Sequence, residues 1–289
     1  MSMTHPRTAR TRERVLTMRG IGKHFGAVKA LTDVDFWVNE GEVVALIGDN
    51  GAGKSTLVKV LAGVHAPDAG TIEFDGDVVD IHSPADAQDL GIATVFQDLA
   101  LCDNLDVVAN LWLGRELITG STLDEVGMEE RTWTLLRELA AKIPSVRVPV
   151  ASLSGGQRQT VAIARSLVGE PRIIILDEPT AALGVAQTAE VLNLIERLRE
   201  RGHGVILISH NMADVMAVAD RVVVLRLGRN NGVYNVADVT SETLIAAITG
   251  AVDGTVKPTP APADPGEPPG GKIIPMRSGP RRKNAGGEA

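Results

Sequence analysis

The chain has 289 residues, of which 44% are apolar and 22% are charged, a composition typical of a folded globular protein. It contains no run of the ~18 apolar residues that a membrane-spanning helix needs, and its start, MSMTHPRTARTRERVL, lacks the apolar stretch of a secretory signal. The net charge of −7 is concentrated in residues 15–250, which carry −12, so we expect no nucleic-acid partner.

The first elements predicted along the chain belong to a small antiparallel sheet. Residues 1–14 are basic and are expected to form a flexible N-terminus. Residues 15–40 and the segment TIEFDG (71–76) alternate polar and apolar side chains, which is typical of strands with one solvated face. Between them, EVVALI (42–47) is a continuous apolar run and predicts a strand that is buried on both faces.

The sequence GDNGAGKST follows that strand and precedes a helix predicted over 54–62. It matches G-x-x-x-x-G-K-[ST], the loop that surrounds the phosphates of a nucleoside triphosphate. Glycine lets backbone N–H groups approach the phosphate oxygens, and the positive end of the following helix adds to the attraction. We expect Lys54 to reach the β- and γ-phosphates and Ser55 to ligate Mg²⁺. The predicted binding residues are Gly48, Asp49, Asn50, Gly51, Ala52, Gly53, Lys54, Ser55 and Thr56.

After the predicted strand GIATVF (91–96) the pattern of apolar residues becomes helical. The segments NLDVVANLWLG and EERTWTLLRELAAKI repeat apolar residues at i, i+3, i+4 and i+7, with no strand predicted between them. We therefore expect an α-helical insertion over about 98–150. It contains Cys102, the only cysteine, which excludes an internal disulfide and fits a reducing cytoplasm.

Two later strands, RIIIL (172–176) and GVILIS (204–209), end in side chains suited to phosphate chemistry. Asp177 and Glu178 follow the first strand, and His210 follows the second. Open α/β sheets bind ligands at the carboxyl ends of their strands. We expect Asp177 to hold Mg²⁺, Glu178 to polarise the attacking water and His210 to contact the γ-phosphate. Taken alone, each segment is also explained by solvated acids or by a structural histidine.

The alternation of strands and helices predicts the fold class. Helices are predicted over 156–169, 186–201 and 212–219, and RVVVL (221–225) adds a last strand. We therefore expect an α/β fold of the P-loop nucleotide hydrolase (RecA-like) type, with a mostly parallel sheet, an antiparallel β subdomain and the helical insertion. Residues 15–250 form the predicted nucleotide-binding domain, and 251–289, rich in proline and glycine, form a predicted disordered tail.

The segment ASLSGGQRQTVAIARSL (151–167) contains LSGGQ, the signature of the ATP-binding cassette family, and the chain resembles that family over about 15–250. The resemblance implies a head-to-tail dimer of two copies, in which the signature of one copy caps the γ-phosphate of ATP held by the other. It also implies that Phe25 stacks on adenine, although an aromatic residue in the core is an equal alternative. The remaining implied roles are nucleotide contacts for Ser154, Gly155, Gly156 and Gln157, and contacts to Mg²⁺ and water for Gln97.

One position departs from the family pattern. The segment EPTAALG ends in Gly184, where many members have an aspartate in a loop that crosses the dimer interface. EPTAALG, GDNGAGKSTL and LWLGRE are similar to importers of monosaccharides such as ribose, xylose, fructose and galactose. The resemblance therefore implies a bacterial ATPase at the cytoplasmic face of the plasma membrane that powers sugar import. Its implied partners are a membrane permease and, indirectly, an extracytoplasmic sugar-binding protein.

Two other functions stay open at this point. One is a soluble cassette ATPase that remodels a protein or nucleic-acid complex, and the other is a regulatory module that no longer hydrolyses ATP. The first kind usually pairs two cassettes or carries long coiled coils, and the sequence has neither feature. The second is disfavoured because the catalytic set is complete. Binding to a permease would separate transport from both.

Overall fold

The computed structural model of the chain describes residues 13–251. The predicted flexible N-terminus and disordered tail therefore lie outside the described residues, apart from residues 13, 14 and 251. The fold that follows concerns the described part alone.

The described residues form two main sheets, a two-stranded hairpin and eight α-helices. The strands are β1 (Arg14–Phe25), β2 (Val28–Asn39), β3 (Val43–Ile47), β4 (Ala69–Phe74), β5 (Asp77–Val79), β6 (Ile92–Val95), β7 (Ile118–Thr119), β8 (Thr122–Leu123), β9 (Ile173–Asp177), β10 (Gly204–Ile208), β11 (Arg221–Arg226) and β12 (Arg229–Asn235). The helices are α1 (Lys54–Leu61), α2 (Pro84–Asp89), α3 (Val107–Trp112), α4 (Glu125–Glu138), α5 (Gly155–Leu167), α6 (Val185–Glu200), α7 (Met212–Val218) and α8 (Ser241–Thr249).

A six-stranded sheet in the order β12-β11-β3-β10-β9-β6 forms the centre of the fold. All neighbouring pairs in it are parallel except β11 and β12, which are antiparallel. Every residue of β3 and of β10 is buried, as expected of strands that are covered on both faces. The predicted mostly parallel α/β core is therefore confirmed.

Alternate side chains of the central strands belong to two different hydrophobic clusters. Val43, Ala45 and Ile47 of β3 pack into a cluster with residues of α5 and α6. Val44 and Leu46 pack on the opposite face, in a cluster that includes α1 and the inner faces of β1 and β2. This two-residue alternation follows from strand geometry and makes the parallel sheet the layer between two cores.

A second, four-stranded sheet in the order β2-β1-β4-β5 is antiparallel throughout. A buried ion pair fastens it to the central sheet. The guanidinium of Arg221 in β11 donates to both carboxylate oxygens of Glu42, at 2.8 and 3.1 Å, and to the carbonyl of Trp37 in β2 at 2.8 Å. The predicted antiparallel subdomain is present, and this contact fixes its orientation on the core.

The residues between β6 and α5 contain the helices α3 and α4 and a short hairpin. Trp112 joins the two helices, because its Nε1–H lies 3.1 Å from the carbonyl of Met128 and 3.0 Å from Oγ1 of Thr132. The sequence pattern predicts no strand here, and that prediction is wrong. Strands β7 and β8 pair Ile118 with Leu123 across a turn in which Gly120 has φ of +65°. Two-residue strands are too short to produce a detectable alternation of side chains.

The chain enters and leaves this insertion through two adjacent, antiparallel segments. The amide of Val150 donates to the carbonyl of Leu105 at 3.0 Å, and the amide of Ala151 donates to that of Asp103 at 3.0 Å. Further into the insertion, the amide of Val107 donates to the carbonyl of Val146 at 3.1 Å. These bonds close a stem at the base of the insertion, formed by residues 103–107 and 146–151.

Within residues 13–251, none of the helices combines the length and the apolar character needed to cross a bilayer.

Candidate nucleotide-binding site

Four neighbouring parallel strands end at one edge of the central sheet, and each is followed by a predicted site residue. The phosphate loop follows β3, His210 follows β10, Asp177 ends β9 and Gln97 follows β6. The register makes the strands end level, since Ile208 pairs with both Leu46 and Asp177. Topology alone therefore brings together segments that are far apart in sequence, at the edge where open α/β sheets bind ligands.

The phosphate loop between β3 and α1 depends on glycines with positive φ. Gly48 has φ of +152°, and a Cβ there would lie 2.2 Å from the carbonyl oxygen of Leu225. Gly53 has φ of +104°, and a Cβ there would lie 2.8 Å from the carbonyl oxygen of Ala30. Only glycine fits both positions, so the loop can turn its N–H groups inward and form an anion-binding concavity at the start of α1.

Lys54 is the first residue of α1 and lies within this loop. Its Nζ donates to the carbonyl of Gly48 at 2.6 Å and to that of Asp49 at 3.0 Å. Burial lowers the pKa of Lys54, while the charges of Glu178, Asp49 and Asp177 raise it. The ammonium is therefore a partly desolvated cation tethered only by carbonyls, which suits a group that exchanges these contacts for phosphate oxygens.

Asp177 and Glu178 lie beside each other where β9 ends. Burial raises the pKa of Asp177, the adjacent charge of Glu178 raises it further, and Lys54 and Lys59 lower it. The edge thus holds two carboxylates in a region that is short of water. A nearby cation would stabilise both charged forms.

His210 extends from the end of β10 towards Glu178. Its Nδ1 lies 2.7 Å from Oε2 of Glu178, and its side chain is 77% exposed while that of Glu178 is 17% exposed. Glu178 has φ of +51°, an uncommon conformation for a residue other than glycine. Its amide donates to the carbonyl of Ile208 at 2.9 Å, which fixes the loop after β9 against the neighbouring strand.

Ser55 and Asp177 provide oxygen donors of the kind that Mg²⁺ prefers. Ser55 is exposed in the first turn of α1, and Asp177 is half-buried at the end of a nearby strand. Gln97 is exposed two residues beyond β6, the strand that pairs with β9. Residues 13–251 contain no cluster of three His, Cys, Asp or Glu side chains that could hold a metal.

Phe25 lies at the end of β1, in the turn that leads to β2. Its ring is 44% exposed and makes an edge-to-face contact with His65, with 5.1 Å between the ring centroids. Asp68 fixes this turn, since its carboxylate accepts hydrogen bonds from the amide of His24 at 2.7 Å and from Nζ of Lys23 at 2.9 Å. Phe25 therefore is not a core residue, and it has an open face on which a planar base could stack.

The Ser154 segment lies on other elements of the chain, at the start of α5. Ser154 is the N-cap, and its hydroxyl accepts from the amide of Gln157 at 3.3 Å while its own amide donates to Oε1 of Gln157 at 2.9 Å. The Gln157 side chain also donates to the carbonyl of Lys142 at 2.9 Å. The side-chain amide of Gln157 is thus engaged within the chain, and of the residues at the helix start Gly155 is exposed, where its N–H can meet an anion.

Gly155 and Gly156 pack against the loop that contains Gly184. A Cβ at Gly156 would lie 3.1 Å from Cβ of Gln187, and one at Gly155 would lie 3.2 Å from a methyl of Leu183. Gly184 has φ of −74°, which any residue adopts, and its amide donates to Oε1 of Gln187 at 3.2 Å. Backbone geometry therefore does not require glycine at position 184.

One contact near the site was not predicted from the sequence. Oγ1 of Thr180, two residues after Glu178, donates to Oδ2 of Asp214 at 2.6 Å. Asp214 belongs to α7, the helix that follows His210, and it is only 5% exposed. The contact ties the loop after β9 to the first turn of α7. An acid in the first turn of a helix after His210 is a weak sequence signal, because such acids are common for helix-dipole reasons alone.

The chain is similar in sequence to known proteins. The family model described as ABC transporter matches residues 31–181. The xylose/arabinose import ATP-binding protein XylG of Sulfolobus acidocaldarius is 47% identical over 215 residues, which are 74% of this chain and 86% of that protein. The fructose import ATP-binding protein FrcA of Rhizobium meliloti is 44% identical over 247 residues, 83% of this chain and 95% of that protein.

Solved structures show the same fold. The ADP conformation of MJ1267, an ATP-binding cassette of an ABC transporter, superposes with a TM-score of 0.70 at 26% identity and covers 84% of this chain and 99% of that one. The dimeric structure of MJ0796, a bacterial ABC transporter cassette, gives a TM-score of 0.65 at 25% identity and covers 76% and 98%.

Proposed function

The chain belongs to the ABC transporter family, and from this premise we propose that it is the ATP-hydrolysing subunit of a sugar importer. The observation that carries the hydrolytic part is the single sheet edge that presents the phosphate loop, Asp177, Glu178, His210 and Gln97 together. The transport part is supported by the two relatives, both named for sugar import, which align over most of the chain.

ATP binds with its phosphates in the loop at 48–56. The Lys54 ammonium exchanges its two carbonyl partners for phosphate oxygens, and N–H groups of the loop donate to the phosphates as well. Ser55, Asp177 and Gln97 would hold Mg²⁺, which when bound offsets the charge that develops on the phosphates. Phe25 stacks on the base with its exposed face.

Hydrolysis needs a water placed in line with the γ-phosphate. Glu178 orients that water and accepts its proton as a general base, because its carboxylate lies beside Asp177 at the phosphate edge. His210 contacts Glu178 through Nδ1 and keeps Nε2 for the transferred phosphoryl group. The protein thus contributes mainly positioning and electrostatic stabilisation.

A second copy of the chain completes each site. Ser154 and the N–H groups at the start of α5 lie on other elements than the phosphate loop, which supports a role at the γ-phosphate of a partner copy. The dimeric MJ0796 cassette is a structural precedent for two copies. Two copies of a chain with one cassette then form two equivalent ATP sites.

The permease binds at the groove between the end of β6, the end of α3 and α5. This groove is lined by Leu99, Ala100, Leu113, Arg115 and Arg165, among other residues. The groove adjoins Gln97, so a displacement of Gln97 at the nucleotide is transmitted to the permease. The subunit is thereby held at the cytoplasmic face of the membrane, and an extracytoplasmic protein delivers the sugar.

The test is purification of the tagged chain from detergent-solubilised membranes, followed by mass spectrometry and an ATPase assay of the recovered complex. We expect a protein with several membrane spans, and hydrolysis that rises when the sugar-binding protein and its sugar are added. Recovery from the soluble fraction alone, with hydrolysis unaffected by any sugar, would leave an ATPase and remove the transport function.

A further inference from the structure

We propose that Arg165 is a positioning residue for Gln97: from α5 it fixes the backbone of the loop after β6, and thereby the place that Gln97 occupies at the phosphate edge. The inference rests on the proposed function, because it assigns Arg165 to the same ATP site. It follows from the contacts of the loop 96–102.

The loop after β6 has little structure of its own. Phe96, Gln97 and Asp98 are exposed, and residues 96–102 belong to no helix or strand. Ala100 has φ of +48°, which is sterically unfavourable for alanine, and its amide is bonded to Oδ1 of Asp98 at 3.1 Å. Such a loop keeps one conformation only if neighbouring elements impose it.

Arg165 supplies that constraint. One terminal nitrogen of its guanidinium donates to the carbonyl of Ala100 at 2.7 Å, and the other donates to the carbonyl of Leu99 at 2.8 Å. A single rigid, planar group thus holds two successive peptide units, which the point charge of a lysine does not reproduce. Gln97 lies two residues before the first of them.

The helix that carries Arg165 is itself firmly held. Val161, Ile163 and Ala164 of α5 are fully buried in the core under the central sheet. Arg158 lies two helical turns before Arg165 and pairs with Asp103 at the far end of the same loop. The loop is therefore fastened to one face of α5 at Leu99 and Ala100 and just beyond its C-terminal end, at Asp103.

The same helix begins at Ser154. A displacement of α5, such as one caused when its N-terminus engages a phosphate, is transmitted to Leu99 and Ala100 through the guanidinium. Arg165 thus links two parts of the ATP site that lie on different elements, namely the start of α5 at Ser154 and the loop that contains Gln97. It does so without touching the nucleotide, which is why we class it as a positioning residue.

A purely structural role for Arg165 makes a different prediction. Its two acceptors are carbonyls of partly or fully exposed residues, so water can replace the guanidinium when it is removed. Loss of Arg165 should therefore change the thermal stability little and the order of the loop considerably. A residue needed only for folding would give the opposite result.

The experiment compares Arg165→Met, Arg165→Lys, Gln97→Ala and the Arg165→Met/Gln97→Ala double variant with the full-length chain. Arg201→Met is the matched control, because Arg201 also pairs with an acid, Glu138, but far from the loop. We expect Arg165→Met to lower kcat about tenfold or more while the Kd for a non-hydrolysed ATP analogue stays within about twofold. Arg165→Lys should retain only a small part of the lost activity, and Arg201→Met should keep the wild-type kcat.

The decisive result is the double variant. If Arg165 acts through Gln97, adding Arg165→Met to Gln97→Ala lowers kcat no further. Losses that multiply, or an Arg165→Met variant with the wild-type kcat, would overturn the proposal. Amide hydrogen exchange gives a readout without hydrolysis, and we expect faster exchange at residues 98–102 in Arg165→Met. Absence of ATPase activity in the wild-type complex would instead count against the proposed function, and the exchange data would still test Arg165.

Discussion

The imidazole of His210 contacts the carboxylate of Glu178, with 2.7 Å between Nδ1 and Oε2. A carboxylate accepts, so Nδ1 carries a proton in this contact, and Nε2 is the ring nitrogen left for another partner. Glu178 is held in this position by a left-handed backbone conformation and by a hydrogen bond to β10, the strand from which His210 extends. The two residues are thus held in contact because the neighbouring strands β9 and β10 position them.

Glu178→Gln should remove most of the hydrolysis and keep ATP binding. The amide cannot accept a proton from water, yet it has nearly the same size and retains one oxygen for His210. We expect kcat to fall by about 100-fold or more, with the Kd for ATP within a few fold of the wild-type value.

The unhydrolysed ATP should also trap the head-to-tail dimer, which size-exclusion chromatography with ATP and Mg²⁺ would detect. Glu200→Gln, at the exposed end of α6, is the control and should behave like wild type. Near-normal turnover in Glu178→Gln would remove Glu178 as the base.

Asp177→Asn should stabilise the nucleotide-free protein while it abolishes Mg²⁺-dependent hydrolysis. The pKa of Asp177 is raised in the folded state, mainly by burial, so the fold favours the protonated acid more than the unfolded chain does. The contribution of this group to stability is therefore present below the unfolded-state pKa and is lost as pH rises through the folded-state pKa.

Replacing the carboxylate with a neutral amide removes this loss of folding stability at high pH. We expect a melting temperature about 2–4 °C higher at pH 7.5 and a smaller gain at pH 5. A lower melting temperature at both pH values would show that attraction to Lys54 outweighs the cost of burial.

Gly48→Ala and Gly51→Ala should differ strongly although both positions have positive φ. At Gly48 a methyl group would overlap the carbonyl of Leu225, whereas at Gly51 nothing lies within 4 Å. Gly51→Ala then costs only the backbone strain, about 1–2 kcal/mol. Gly48→Ala must also move β3 away from the end of β11, so we expect a distinctly larger loss in urea unfolding and loss of nucleotide binding. Equal losses in the two variants would mean that conformation alone, and not space, selects glycine at 48.

Thr180→Val should destabilise the fold, because it leaves the carboxylate of Asp214 buried without its partner. The expected cost is about 1–3 kcal/mol in urea unfolding. Thr180→Ser keeps the hydroxyl and should retain most of the wild-type stability. If valine and serine gave equal stabilities, the 2.6 Å contact would not be a significant link between the loop after β9 and α7.

The sequence was informative where a local pattern determines the structure. Continuous apolar runs located β3, β9 and β10 to within about a residue, and the glycine spacing located the turn that precedes Lys54. The parallel order of the strands then follows from the helices between them. For that reason the sequence alone is enough to group the residues at the strand ends into one site.

Contacts between a side chain and a distant backbone could not be found in this way. The bonds from Arg165 to Leu99 and Ala100 leave no trace in the spacing of apolar residues, because the acceptors are carbonyls that every residue has. The hairpin of β7 and β8 was missed because its strands are shorter than one period of alternation can reveal. The stacking of Phe25 on adenine and the roles of Gln157 and Gly184 at a dimer interface stay predictions, because they concern a nucleotide and a second copy of the chain.

The stem at the base of the insertion has a consequence for how this protein can change. Because the segments 103–107 and 146–151 are bonded side by side, the ends of the enclosed region are held at a fixed separation. Residues can therefore be added to or removed from the region between them without altering the path of the chain at Gln97 or Ser154. The insertion can thus diverge in length and shape while the geometry of the phosphate edge is inherited unchanged.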